Sequence, residues 1–322
     1  MNQLEAKLQE AETIVILGHV RPDGDCTGSC LAMWNYIRKN YPKKQVQIHL
    51  EQPSEKFSYL AGFHQISQEI HETPCDLCIC LDSSDKERLG DFGVFLSQAK
   101  QSICIDHHVT NPGYAQENVV DAKASSTCEV LFGLLEEEKI SRETAACIYT
   151  GLVHDTGVFK YSNTSAKTMM IAGKMMEKGI DFGFIIDHSF YEKTYRQSQI
   201  LGRALLESIQ FLHGTCIFSV VRSQDMEFFG VESKDLDGIA EQLRIIDGIE
   251  CAIFMYEVGN HVYKVSMRSN HIVDVSKIAS YFGGGGHIRA AGCTMSGSIH
   301  DVINNLSGHI EKQLKQQENQ DV

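Results

Sequence analysis

The sequence predicts an α/β protein with two domains: a mostly parallel sheet covered by helices, followed by a smaller mixed α/β domain. Two observations predict this fold. Up to about residue 190, short apolar runs that are typical of buried strands alternate with segments of helical periodicity. From about Tyr191 the pattern changes, and strand-like segments lie closer together. We therefore predict a first domain at 1–190, a connecting helix and linker at 191–210, and a second domain at 211–322, with a cleft between the domains.

Three predicted strands of the first domain are apolar runs that end in Asp or His. They are Thr13–Leu17, Asp76–Leu81 and Ile103–Ile105. The carboxyl ends of parallel strands share one edge of a sheet, so the side chains that follow these runs are expected to lie close together. The other elements predicted there are a strand at Val46–Leu50 and helices at Gly28–Lys39, Ser125–Glu138 and Ser141–Val153.

The second domain is predicted from a different succession of elements, which indicates a mixed sheet. After a helix at Thr194–Gln210, the pattern predicts strands at Cys216–Arg222, Ala252–Glu257 and Val262–Arg268, and helices at Leu236–Ile246 and Val273–Tyr281. A glycine run, Gly283–Gly286, comes next, and a last strand and a last helix follow it.

The net charge restricts the classes of partner. The 322 residues include 42 acidic and 29 basic side chains, which gives a formal charge of −13. Tight binding of long nucleic acid relies on clustered Lys and Arg, so we expect no long nucleic acid as a partner. Short anionic substrates remain compatible, because a few local cations or metal ions can hold them.

Two further features concern location. No run of 18 apolar residues is present, so we expect no membrane span. The N-terminus lacks the basic and apolar regions of a signal peptide, so we expect no such peptide. Of the eleven cysteines, Cys78, Cys80 and Cys104 lie inside apolar runs, which favours buried, reduced thiols over a zinc site. A cytoplasmic location fits best.

Candidate metal ligands follow each of the three apolar runs. They are His19, Asp23 and Asp25 after the first run, Asp82 after the second, Asp106, His107 and His108 after the third, and Asp155 near the end of a predicted helix. Carboxylates and imidazoles that converge would repel one another unless cations lay between them. Mixed oxygen and imidazole ligands suit manganese, iron or cobalt better than magnesium. Two such ions could orient and deprotonate a water molecule.

Each of these segments also has an interpretation without a metal. Asp23 and Asp25 could belong to a solvated turn, Asp82 could cap a helix, and His154 could be a histidine of the core. Together, in this order and at strand ends, the segments favour a metal cluster.

The same residues resemble the DHH phosphoesterase superfamily, which is named for the triplet found here at 106–108. All four family motifs occur in order. The C-terminal part resembles the DHH-associated domain through Val265–Ser269 and Gly283–Gly292. In length and domain pair the chain is most similar to the bacterial nanoRNase/pAp phosphatase subgroup.

The resemblance implies a ligand set for two manganese ions. It assigns His19, Asp23 and Asp82 to one ion, and Asp25, Asp82, His107 and Asp155 to the other. Asp82 would bridge the ions, with the nucleophilic water between them.

The resemblance also implies catalytic roles for the triplet. Asp106 would orient His107, because a carboxylate bonded to a ligating imidazole fixes its tautomer. His108 would contact the scissile phosphate.

Substrate contacts are expected from the second domain. Polar and apolar residues alternate along a predicted strand, in which Val265 and Met267 separate Lys264, Ser266 and Arg268. One face of the strand would therefore carry the three polar side chains, and the Met267 side chain would point to the opposite face. A guanidinium such as that of Arg268 can bind phosphate with two parallel hydrogen bonds. A solvated strand face is the alternative.

The glycine run is the second candidate for a substrate contact. Gly284, Gly285 and Gly286, followed by His287, would let backbone amides approach an anion closely. A flexible loop is the alternative. The resemblance favours binding of the terminal phosphate or nucleotide by this domain.

The resemblance implies a hydrolase, namely an exonuclease of the oligoribonuclease type that degrades short 5′-phosphorylated RNA to mononucleotides and removes the 3′-phosphate of pAp. The alternatives are a phosphodiesterase for cyclic di-AMP or linear pApA and, in another class, a non-enzymatic nucleotide sensor, which would be expected to have lost ligands. A family II pyrophosphatase and a RecJ-type exonuclease are disfavoured. A homodimer is compatible with the sequence.

Overall fold

The computed structural model describes residues 3–70 and 74–318. The chain forms two compact units, which divide between Glu192 and Lys193. The segment predicted as a linker belongs to the second unit, because its helix carries Ile200 and Ala204 into a core cluster with Ile217.

The first unit contains a sheet of six strands among the described residues, and all its pairings are parallel, as predicted. In chain order these strands are β1 Thr13–Leu17, β2 Gln45–His49, β3 Ile66–Ser67, β4 Leu77–Leu81, β5 Gln101–Asp106 and β6 Glu117–Val120. Their spatial order is β3-β2-β1-β4-β5-β6, so the three apolar runs are adjacent. The strand β6 was not predicted, because its residues are only half-buried or exposed and include Glu117 and Asn118.

Helices cover this sheet. They are α1 Gln3–Glu10, α2 Gly24–Asn40, α3 Gly93–Gln98, α4 Thr127–Phe132, α5 Arg142–Asp155, α6 Ala166–Glu177 and α7 Phe182–Ile186. The prediction of one helix over Ser125–Glu138 is wrong in its extent. The helix α4 ends at Phe132, and the chain turns at Gly133 so that Leu135 reaches the core.

The helix α2 begins four residues earlier than predicted. The Asp23 side chain accepts hydrogen bonds from the backbone amides of Asp25 and Cys26 and so caps the helix. Consequently Asp25 lies in the first turn of a helix rather than in a loop. The helices α2 and α5 pack closely, since a Cβ atom on Gly28 would lie 2.6 Å from the Cys147 carbonyl oxygen.

Among its described residues, the second unit has a mixed sheet of six strands, and a mixed sheet was predicted. Its strands are β7 Ile209–Phe211, β8 Cys216–Val221, β9 Cys251–Gly259, β10 Val262–Ser269, β11 Gly285–His287 and β12 Ala290–Ser296. The order is β11-β12-β10-β9-β8-β7, and within the part of this unit that the structure describes only β8 and β9 pair in parallel.

The helices of the second unit are α8 Tyr195–Leu206, α9 Ser223–Phe229, α10 Ile239–Arg244, α11 Val275–Tyr281 and α12 Ile299–Glu318. Two predicted boundaries are wrong. Gln210 lies in β7, where it pairs with Ile217, rather than at the end of a helix. The helix α10 begins only after Gly238, whose φ of 86° is left-handed and interrupts the helical path.

Two global predictions can be compared with this fold. All eleven cysteine side chains are buried and free of disulfides, as expected. Within the described ranges, every helix is too short or too polar to cross a membrane.

Candidate metal centre

The carboxylate of Asp82 lies at the centre of the cluster formed by the strand ends. It follows β4, and its oxygens lie 3.5 Å from His19 Nε2, 3.7 Å from His107 Nε2 and 3.7 Å from His108 Nδ1. The residue is 2% exposed, and its backbone has a φ of 55°. A left-handed conformation outside glycine stores strain, which is frequent at functional sites.

A second group in the centre combines Asp25, His107 and Asp155. One potential ligand atom of each lies within 4.8 Å of the other two, and His107 Nε2 is 3.1 Å from Asp155 Oδ2. Asp155 is the last residue of α5. The close packing of α2 on α5 places Asp25 against Gly151, where a Cβ atom would lie 2.5 Å from Asp25 Oδ1.

Asp25 is held by the first turn of α4. Its oxygens accept hydrogen bonds from the amide of Thr127 at 2.6 Å and from the amide of Cys128 at 3.0 Å. The Thr127 hydroxyl donates to Asp82 Oδ1 at 3.0 Å. This one turn therefore positions two of the candidate ligands.

Asp23 lies at the edge of the group. One of its oxygens is 3.7 Å from His19 Nε2 and also caps α2. Burial opposes the ionised form, but the hydrogen bond with His19 outweighs it, and the pKa of Asp23 is lowered to about 2. Its carboxylate is therefore charged at neutral pH.

The electrostatics of the buried carboxylates favour bound cations. Burial and the negative charge of Asp82 raise the pKa of Asp25 well above its ordinary value, and burial raises the pKa of Asp155 to about 6. Burial would lower the pKa of His107, but its bond to Asp155 and the charge of Asp25 outweigh burial and raise it to about 10. Protons thus compensate an excess of negative charge that divalent cations would also compensate, so the donor set fits metal ions.

The structure differs from the expectation for Asp106. Its Oδ1 accepts hydrogen bonds from His108 Nδ1 and from the backbone amide of His107, both at 2.8 Å, and its Oδ2 accepts one from Asn111 at 2.7 Å. The ring contacted by Asp106 is therefore that of His108, because the ring of His107 is turned towards Asp82 and Asp155.

His154 has the environment of a core histidine. Its Nε2 lies 3.1 Å from Ser189 Oγ, and its ring contacts Phe57 and Phe190 edge-on. Burial lowers its pKa to about 4. The ring also explains Gly24, since a Cβ atom there would lie 2.1 Å from the ring of His154.

Several residues of the centre were not identified from the sequence. They are Cys26, whose thiol groups with His19 and Asp82, Arg88 beside His19, Asn111, and the α4 residues Thr127 and Cys128. The segment Ser126–Glu129 has the Ser-x-x-Glu pattern of a helix start, which could have revealed α4. Its contact with Asp25, 102 residues away, carries no local signal.

The polar face predicted for β10 is confirmed. Val265 and Met267 are buried, whereas Lys264, Ser266 and Arg268 alternate with them on the more open face. The three polar residues line a cavity of about 510 Å³ within the second unit. Phe254 and Tyr256 of β9 line the same cavity, with ring centroids 6.2 Å apart and planes 29° from parallel.

The glycine run has a more regular structure than a phosphate loop. Gly285, Gly286 and His287 form the edge strand β11, which pairs with β12, and all three are exposed. Gly283 and Gly284 line the cavity. A Cβ atom on Gly284 would lie 2.1 Å from the Gly292 carbonyl oxygen, whereas one on Gly285 would meet open space.

Comparison with known proteins identifies the two units. Residues 13–152 match the model of the DHH family, N-terminal domain, and residues 213–316 match the DHHA1 domain. An exopolyphosphatase-related protein from Bacteroides fragilis has the same fold, with a TM-score of 0.84 and 24% identity over 96% of this chain and 94% of that one.

Curated relatives span nearly the whole chain. The probable bifunctional oligoribonuclease and PAP phosphatase NrnA of Streptococcus mutans is 29% identical over 89% of this chain and 91% of its own length. The bifunctional oligoribonuclease and PAP phosphatase NrnA of Bacillus subtilis is 28% identical over 88% and 90%. The chain therefore belongs to the DHH phosphoesterases that carry a DHHA1 domain.

Proposed function

We propose that this enzyme is a manganese-dependent phosphoesterase that hydrolyses short 5′-phosphorylated oligoribonucleotides, such as pApA, to mononucleotides and converts pAp to AMP. The observation that carries the proposal is the convergence of three imidazoles on the buried carboxylate of Asp82, with Asp25 and Asp155 grouped around His107. The relatives named above support the substrate class, because their names include an oligoribonuclease and a PAP phosphatase.

Six residues would hold two ions in the way that the family resemblance implies. The proposed ligands are His19, Asp23 and Asp82 for one ion, and Asp25, Asp82, His107 and Asp155 for the other. The mixture of oxygen and imidazole donors favours manganese over magnesium. When bound, the ions polarise the phosphoryl group and activate the attacking water.

The protein residues supply position and charge complementarity. Thr127 holds Asp82, and the amides of Thr127 and Cys128 hold Asp25, so these ligands are oriented before substrate arrives. Asp106 fixes Nδ1 of His108 and leaves Nε2 to contact a phosphate oxygen. The buried setting strengthens each such interaction.

We propose that the cavity of the second unit binds a nucleotide portion of the same substrate. Lys264 and Arg268 provide positive charge for phosphate, and Tyr256 provides a ring on which a base can stack. His287 and the amides of Gly284, Gly285 and Gly286 remain proposed phosphate contacts.

We propose a preference for short substrates on electrostatic grounds. With a net charge of −13, the protein gains little from binding a long polyanion. The buried, reduced cysteines are consistent with the proposed cytoplasmic location.

A parallel assay tests the proposal. Initial rates would be measured with Mn²⁺ on pAp, pApA, cyclic di-AMP, a 24-mer RNA and pyrophosphate, and repeated with Mg²⁺. We expect pApA and pAp to be hydrolysed fastest and Mn²⁺ to be the better activator. Equal rates on a 5′-labelled dimer and the 24-mer at moderate salt would refute the short-substrate proposal. Faster hydrolysis of cyclic di-AMP than of pApA would favour a cyclic-dinucleotide phosphodiesterase instead.

A further inference from the structure

Arg88 lies beside the candidate ligand His19. Its Nη2 atom is 3.0 Å from His19 Nδ1. The backbone fixes this arrangement, because the Val20 amide donates to the Arg88 carbonyl oxygen at 2.7 Å and the Arg88 amide donates to Asp85 Oδ1 at 2.9 Å. The loop that follows β4 is thus attached to the loop that follows β1, and this places the Arg88 side chain beside the metal centre.

His19 Nδ1 has two polar neighbours that make opposite demands. The carbonyl oxygen of Val20, at 2.8 Å, requires a hydrogen on Nδ1, whereas Arg88 can only donate and requires a lone pair there. If His19 Nε2 binds a metal ion, the neutral ring carries its hydrogen on Nδ1. Nδ1 then donates to Val20, and Arg88 loses this acceptor.

The guanidinium has no competing anion among the described residues. No carboxylate there lies within 4.0 Å of it, although the chain around it is acidic. The side chain is partly exposed, so an anion from solvent can reach it. A cation in this position can contact an incoming anion.

We propose that metal binding at His19 releases Arg88 to bind a non-bridging oxygen of the substrate phosphate. This inference rests on the proposed phosphoesterase function and adds a substrate-binding residue to it. Arginine suits the role because its planar donors can form paired, charge-assisted hydrogen bonds with phosphate.

The test compares the parent protein with Arg88→Gln, Arg88→Lys and the matched control Lys86→Gln, an exposed cation two residues away. Manganese affinity is measured from the electron paramagnetic resonance of free Mn²⁺. AMP affinity is measured by calorimetry on the Mn²⁺-loaded protein, and KM and kcat are measured on pApA.

In Arg88→Gln we expect AMP affinity to fall and the KM for pApA to rise about tenfold or more, as for loss of a hydrogen bond to a charged group. Manganese affinity should not weaken, because His19 keeps its bond to Val20. Arg88→Lys should recover part of the AMP affinity, and Lys86→Gln should match the parent protein.

Two results would overturn the inference. The first is weaker Mn²⁺ binding by Arg88→Gln with unchanged AMP affinity of the loaded protein, which would make Arg88 a support for His19. The second is a variant that equals the parent in every measurement. If the parent protein fails to hydrolyse pApA, the proposed function fails, while the Mn²⁺ and AMP measurements still decide the role of Arg88.

Discussion

The two units use their sheets in different ways. In the first unit the candidate ligands lie beyond the carboxyl ends of the parallel strands β1, β4 and β5 and on the helices α2 and α5. In the second unit the candidate substrate residues lie on the face of the antiparallel strand β10 and its neighbours. The site at the strand ends of the first unit combines segments that are distant in sequence. The site on the sheet face of the second unit is built from residues of neighbouring strands that pair in register. Lys264, for example, lies between Tyr256 and Thr294.

The two sites also differ in charge and burial. The centre on Asp82 is rich in carboxylates, with Asp82 and Asp25 buried and Asp23 exposed at its edge, so it favours bound cations. The cavity in the second unit is lined by two cations, Lys264 and Arg268, one carboxylate, Asp237, and the ring of Tyr256, so its net charge is positive and suits an anionic nucleotide. Substitutions in the first unit should therefore act on metal binding and chemistry, and those in the second on affinity for substrate.

The largest effect is expected from Asp82→Ala. It removes the carboxylate that three imidazoles and Thr127 approach, so kcat should fall at least about 1,000-fold, the scale of several kcal/mol of transition-state stabilisation. Steady-state kinetics and Mn²⁺ stoichiometry would measure this. The exposed Asp91→Asn is the control. Parental activity with unchanged metal binding would contradict the central role of Asp82.

Gly151→Ala should damage the metal centre although it replaces no ligand. The added Cβ atom would lie 2.3 Å from Cys128 Sγ and 2.5 Å from Asp25 Oδ1, so Asp25 must shift. We expect Mn²⁺ affinity to fall about 10–100-fold, as when the support of a ligand is lost. Titration of Mn²⁺ would measure the change.

The matched control for Gly151→Ala is Gly173→Ala in α6, where an added Cβ atom meets nothing within 4 Å. It should leave metal binding intact and stabilise the protein by about 0.5–1 kcal/mol. Equal metal affinity in both variants would show that the packing of α5 on α2 does not position Asp25.

Arg268→Gln should show that substitutions in the second unit affect substrate affinity and not metal binding. The loss of a charge-assisted hydrogen bond should raise the KM for pApA about tenfold while kcat and Mn²⁺ affinity change little. Lys312→Gln, an exposed change on α12, is the control. A fall in kcat with an unchanged KM would place Arg268 in the chemical step and remove the contrast between the units.

The smallest functional effects are expected in the glycine run. Gly284→Ala places a Cβ atom against the Gly292 carbonyl oxygen and should lower the free energy of unfolding by about 1–3 kcal/mol. Gly285→Ala meets open space and should change stability little. Thermal unfolding and the KM for pApA would measure both. A large rise in KM for Gly285→Ala with normal stability would show that this edge strand lies against the substrate more closely than we propose.

Much of the first unit could be predicted from the sequence because its signals are local. The apolar runs before His19, Asp82 and Asp106 are short and buried on both faces, and the observed strands include them except for Asp76. The alternation around Arg268 was equally informative, because its period of two determines which side chains share a face. The strand β6 is weakly apolar and lacked such a signal. The short helix α4 was predicted too long, because the residues after Phe132 also have a helical pattern.

The sequence by itself determined which chemical groups end each central strand, because burial and strand periodicity depend on neighbouring residues. Only the tertiary structure decided that Asp106 contacts the ring of His108, that Gly285–His287 is an edge strand, and that Arg88 lies beside His19. It also brought α4 to Asp25 across 102 residues. These contacts depend on how α2, α4 and α5 pack over the sheet, and such packing is set by side-chain shape over long sequence separations, which leaves no local pattern to read.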